Sequence, residues 1–155
     1  MPTSGAPRRI VLGIDGSAPS RRAVAFVARL APRAGGAVHC VAVLEPTRLP
    51  AMPLMPAGLR TQIVGQARAL DDERQAVARR RLDAAVATLR AAGWRATAET
   101  RAGVPLPALL DAVKSARADT LALGSKGTTG AARVLLGSVA EGALKQSRVP
   151  VLVVP

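Results

Sequence analysis

Short apolar runs alternate with helical stripes along the whole chain. Residues 10–14 (Ile, Val, Leu, Gly, Ile) end in Asp15, Gly16 and Ser17, which predicts a buried strand delivering a polar turn. Val24, Val27, Ala28 and Ala31 then recur at helical spacing, with Pro19 near the start and Pro32, Gly35 and Gly36 past the end. Residues 37–44 form a second apolar run. From 71 to 92, Ala78, Leu82, Ala85, Val86 and Leu89 hold the helical period until Gly93. Residues 94–101 alternate apolar and polar positions (Trp94, Ala96 and Ala98 against Arg95, Thr97 and Glu99), the pattern of a strand with one open side at a sheet edge. Leu106, Leu109, Leu110 and Val113 trace a third helix beginning just after Pro105, residues 120–123 a fourth strand stopped by Gly124, and 139–146 a short helix leading to a fifth strand at Val151, Leu152, Val153 and Val154.

Five strand–helix alternations predict an α/β fold: a single domain with a doubly wound, five-stranded parallel sheet and helices on both faces. The domain spans residues 1–155, with 1–8 as a flexible N-terminus and 45–70, which carries Pro46, Pro50, Pro53, Pro56 and Gly58, as a long Pro-rich loop. A loop of that length in a compact domain is functional or disordered. Its Met52 and Met55 read either as part of a linker or as a hydrophobic lid. No internal repeat is found.

With 155 residues, the chain buries roughly two thirds of its unfolded surface and needs neither disulfides nor a structural metal. The lone Cys40 fits a reducing compartment, and neither a secretory signal nor a membrane span is recognisable, so a soluble, cytoplasmic protein is expected. Phe26 and Trp94 are the only aromatic residues, which argues against base-stacking platforms.

The formal charge is +12, and 19 of the 22 basic residues are arginine. The densest cluster, Arg79, Arg80 and Arg81 with Arg74 and Arg90 nearby, reads as the solvent face of an amphipathic helix or as a basic stripe for nucleic acid. His39 beside Cys40 has no further ligand near it in sequence, so strand packing is the better reading than zinc or a nucleophilic pair.

The richest stretch runs from Gly124 through Ser125, Lys126, Gly127, Thr128, Thr129, Gly130 and Arg133 to Gly137 and Ser138. It follows a strand and precedes a helix, where free backbone amides and a helix N-terminus can hold a phosphate. Ser138 followed by Glu141 reads as a capping box. Neither the Walker pattern nor the dinucleotide fingerprint is present, and by itself the loop serves equally as a chain-turning device. In a doubly wound sheet, however, the ligand crevice lies where strand order reverses. If strands one and four flank that point, Asp15 and Gly124 share one crevice.

Over nearly its whole length the sequence resembles the universal stress proteins. The resemblance rests on Ile14-Asp15-Gly16-Ser17, on Val43-Leu44-Glu45-Pro46, on Gly103-Val104-Pro105 and on the terminal Val149-Pro150-Val151-Leu152-Val153-Val154. It rests most on Gly124-x2-Gly127-x9-Gly137-Ser138, the spacing of that family's ATP-binding branch. It implies strand order 3-2-1-4-5 and ATP with Mg2+ across the β1/β4 switch point. Asp15 would then contact ribose, and the backbone at Val43 the adenine edge, with Val104 and Leu123 nearby. Gly124, Lys126, Gly127, Gly137, Ser138 and Val139 would surround the phosphates. It also implies a homodimer through Val151, Leu152, Val153 and Val154. Lys126 stands where many relatives have arginine or histidine, and a point charge there forgoes bidentate phosphate contact.

The function expected is that of an ATP-binding, nucleotide-responsive regulator or stress-resilience factor. One alternative is a slow ATP hydrolase or nucleotidyl-transferring enzyme, for which no residue orienting water can be named. A second is a basic nucleic-acid interaction module.

Overall fold

The computed structural model describes residues 7–32, 34–126 and 136–155. In chain order its elements are β1 (Arg9–Gly13), α1 (Ala18–Arg29), β2 (Ala37–Leu44), α2 (Ala57–Ala91), β3 (Arg95–Ala102), α3 (Pro105–Ser115), β4 (Thr120–Gly124), α4 (Ser138–Gln146) and β5 (Val151–Val154). All pairings are parallel and the strand order is β3-β2-β1-β4-β5, as expected.

Strand periodicity divides the core in two. Ile10, Leu12, Val38, Cys40 and Ala42 point to one face, where they meet Ala23 and Val27 of α1 and Ala78, Leu82, Ala85 and Leu89 of α2. Val11, Val41, Leu121 and Leu123 point to the other, against Leu109, Ala112 and Val113 of α3 and Ala143 of α4. Because central strands are covered on both faces, their sequences read as unbroken apolar runs. Trp94, buried in the α1/α2 layer, donates its indole N–H to Val27 O at 3.1 Å, so its one polar atom is satisfied. The Cys40 thiol lies in the same layer, and burial pushes its pKa up to about 12, which leaves it inert at neutral pH.

Three local expectations are corrected. First, α2 begins at Ala57, so the Pro-rich loop covers only residues 45–56 rather than 45–70. None of residues 57–77 is buried, so this half of the helix carries no core stripe that periodicity could detect. It is held instead by polar ties: Asp71 accepts the hydroxyl of Thr47 at 2.6 Å, and Arg60 donates to Met52 O and Met55 O at 3.3 Å each. Second, the capping box is not formed. Gly137 is the N-cap of α4, Ser138 is the first helical residue, and Glu141 pairs with Lys145 at 2.6 Å. Third, α1 stops at Arg29, so Ala31 lies beyond it; its start is fixed by Ser17, whose hydroxyl accepts the Ser20 N–H at 3.2 Å.

Candidate functional site

At the C-terminal ends of β1, β2 and β4 a crevice of about 920 Å³ opens, within the range of small-ligand sites. It lies where strand order reverses, because β1 is followed in sequence by β2 on one side but pairs with β4 on the other. Its floor is apolar (Ile14, Val41, Val43, Leu109 and Leu123) and its rim polar.

The β1–α1 turn forms one lip. Asp15 accepts the Ser17 N–H on Oδ1 at 2.8 Å, an Asx-type turn that fixes the carboxylate while Oδ2 has no protein partner among the described residues. Gly16, at φ +81°, makes the turn with a conformation that L side chains rarely adopt. A Cβ there would also collide with the guanidinium of Arg81.

The opposite lip is the chain around β4 and α4. Ser125 N–H donates to Val154 O at 2.7 Å, and Gly137 N–H donates to Ser125 O at 2.8 Å, so the two ends of the glycine-rich segment are clasped together. Ser17 Oγ donates to Lys126 O at 3.1 Å, which ties the two lips. Gly124 packs directly on the start of α1: a Cβ would lie 2.6 Å from Ser20 N and 2.8 Å from Pro19 C. Gly124 is therefore required by packing, whatever else it does. The first backbone bond of α4 runs from Glu141 N to Gly137 O, and among the described residues no side chain caps this helix. Among the described residues the amides of Ser138, Val139 and Ala140 have no acceptor, and they lie at the crevice at the positive end of a helix dipole.

Of the expected site residues, Asp15, Val43, Leu123, Gly124, Lys126, Gly137, Ser138 and Val139 all line this crevice. Val104 does not: it is the N-cap of α3 and 54% exposed, and its neighbour Pro105 takes the place on the wall. Gly127 lies outside the described residues.

One whole wall escaped the sequence reading. Leu70, Glu73, Arg74, Val77, Ala78 and Arg81 form a continuous face of α2 over the crevice. Arg81, expected on a solvent face, donates Nη1 to Asp15 O at 3.0 Å, and Arg21 donates to Gly16 O at 2.6 Å. Arg74 bonds Thr47 Oγ1 at 3.1 Å and lies 3.6 Å from Asp71. Positions 73, 74, 77, 78 and 81 fall on one face of the helix expected over 71–92, but spacing alone does not say what that face covers.

Chemically, the site pairs an apolar floor with cations and open amides, which suits a ligand with a flat apolar part and a phosphate. For a metal the donors are sparse: Asp15, Glu45 and Glu73 line the crevice, yet among the described residues no group of three carboxylate, histidine or cysteine ligands converges. A divalent ion here fits as a passenger on phosphate rather than as a protein-held centre.

Comparison with known proteins bears on the family and the fold. The family model described as the universal stress protein family matches residues 7–155. Universal stress protein MJ0531 of Methanocaldococcus jannaschii is 40% identical over 62 residues, a match spanning 40% of this chain and 36% of that protein's length. The solved structure of the hypothetical protein MJ0577 superposes with a TM-score of 0.76 at 21% identity, covering 95% of this chain and 94% of the other. The universal stress protein of Archaeoglobus fulgidus in complex with dAMP does so with a TM-score of 0.65 at 21% identity, covering 95% and 97%. With its model matched over nearly every residue and its sheet in the expected order, the chain belongs to the universal stress protein family.

Proposed function

We propose that the protein binds ATP, accompanied by Mg2+, in the crevice between β1 and β4 and acts as a nucleotide-responsive regulator or stress-resilience factor. The observation that carries this reading is the convergence, from distant parts of the sequence, of Asp15, Lys126 and the uncapped N-terminus of α4 on one apolar-floored crevice. The dAMP bound by the Archaeoglobus fulgidus relative supports it from outside.

In this reading the amides of Ser138 and Val139 and the ammonium of Lys126 hold the phosphates. Asp15 accepts a ribose hydroxyl with the oxygen that the turn leaves free, while the base lies on Val43 and Leu123 with its edge toward the β2 backbone. Bound Mg2+ would supply charge neutralisation between phosphate oxygens. Arg81 and Arg74 compensate the remaining charge from the α2 side. Hydrolysis is secondary to binding in this reading, because none of the described residues is assigned to orienting water toward a terminal phosphate. The protein functions as a homodimer through β5, which is an edge strand with Val151, Leu152 and Val153 only half-buried.

The test is to purify the protein without added nucleotide, denature it and identify the released small molecule by chromatography and mass spectrometry. About one ATP or ADP per chain, absent from a Lys126→Glu variant of unchanged melting temperature, is expected. Protein that releases nothing and takes up no added Mg-ATP refutes the proposal.

A further inference from the structure

The end of the sheet opposite the crevice carries a charge distribution that the nucleotide reading does not use. At this end lie, among the described residues, the beginnings of strands β1–β5 and the C-termini of helices α1–α4, with the connecting residues 30–32, 34–36, 92–94, 116–119 and 147–150. Arg8, Arg9, Arg95, Arg117 and Arg148 stand there, all exposed. Arg29, Arg90, Lys114 and Lys145 occupy the last turns of α1, α2, α3 and α4. Of the chain's ten acidic residues only Asp119 lies on these turns, and its carboxylate accepts the backbone N–H groups of Arg8 and Arg9 at 2.9 and 3.2 Å.

The last-turn cations have a local explanation, since a positive charge complements the negative end of a helix dipole. Arg90 is in addition committed to Ala96 O. Arg95 donates Nη2 to Gly35 O at 2.6 Å, which leaves its charge without a counter-ion, and no such account covers Arg8, Arg9, Arg117 and Arg148. Among the described residues none of the five has a carboxylate within ion-pairing distance. Arg117 has φ +49°, the one positive φ outside glycine among the described residues, so a long cationic side chain stands where glycine would be less strained.

The sheet sets the spacing. Arg9 and Arg95 both stand opposite Ala37 in register, hence about two strand spacings, or roughly 10 Å, apart. Arg117 precedes β4 and Arg148 precedes β5, which continues the row across the sheet edge. We propose that this row is a docking face for double-stranded nucleic acid, which it grips through backbone phosphates without reading sequence.

Two features select that partner. The helices meet this face end-on, so no amphipathic helix lies flat along it to enter a lipid interface. Trp94 is buried and Phe26 half-buried beneath Arg29, which leaves no aromatic platform for unstacked bases and favours duplex over single strand. The site is remote from the basic triplet at Arg79, Arg80 and Arg81, whose third member is already engaged at Asp15.

The test is fluorescence anisotropy of a labelled 20-base-pair DNA duplex against the full chain as salt is raised. The variant Arg9→Gln/Arg95→Gln/Arg148→Gln should bind at least tenfold more weakly, and its log K against log salt slope should be shallower by about 2 to 3. The charge-matched variant Arg68→Gln/Arg79→Gln/Arg80→Gln should lose less than threefold. Arg117→Gly, which relieves the positive φ, should weaken binding while melting no lower than the parent. Equal losses in the two triple variants, displacement of the duplex by Mg-ATP, or binding to phosphatidylserine vesicles but not to duplex would each overturn the proposal.

Discussion

Gly65 and Gly124 are the same residue type in opposite circumstances. A Cβ at Gly65, in the exposed half of α2, meets nothing within 4 Å, so Gly65→Ala should stabilise the protein by about 0.5–1 kcal/mol through helix propensity alone. A Cβ at Gly124 strikes the backbone of Pro19 and Ser20, which cannot retreat without shifting α1, so Gly124→Ala should destabilise by about 1–3 kcal/mol. Urea denaturation of both variants measures the contrast. The sequence marks both glycines identically, because the distinction depends on what α1 places beside the end of β4. Glu99 supplies a pH signature. Burial alone would raise its pKa, but hydrogen bonds from His39 and Arg101, together with the Arg101 charge, hold it below its ordinary 4.5. A depressed carboxylate contributes stability that is present above its unfolded pKa and lost as pH falls through the folded one. Acidification from about pH 5 to pH 3 should therefore cost the parent more stability than Glu99→Gln, a difference that is small because the side chain is 36% exposed.

Among the elements, strands β1, β2 and β4 were legible because burial on both faces leaves an apolar signature that survives without tertiary knowledge. The first half of α2 was not. It follows four prolines, contains Gly58 and Gly65, and buries nothing, so only its attachments keep it in place. The attachment that matters is the Thr47–Asp71–Arg74 cluster, which pins the chain leaving β2 to the wall of the crevice. Asp71→Ala should free that segment without touching the core. Limited trypsin digestion should then cut after Arg48 several-fold faster, with little change in melting temperature. If bound nucleotide restrains the same segment, Mg-ATP should slow that cleavage in the parent. An unchanged digestion pattern in both experiments would show that residues 45–56 are held by something other than this cluster.

Over the whole molecule, topology sorts the chemistry. Parallel strands with intervening helices send every strand C-terminus and helix N-terminus to one end, where amides are free, and every helix C-terminus to the other, where cations gather. Gly124 and Asp15 could be expected in one crevice because that rule needs only strand order, which the family resemblance implied. The α2 wall, with Arg74 and Arg81, could not, since it depends on how a helix crosses the sheet rather than on which strand it follows. The central claim is that the open N-terminus of α4 receives phosphate, and Gly137 separates that claim from folding. An aspartate is a better N-cap than glycine, so Gly137→Asp should keep or slightly raise stability while placing a carboxylate where the phosphate would lie. Calorimetric titration of Mg-ATP into nucleotide-free parent and Gly137→Asp proteins is the most direct measurement. Saturable binding near one per chain in the parent, lost in a variant that melts no lower, is the predicted result. Equal binding by both proteins, or none by the parent, would contradict the assignment.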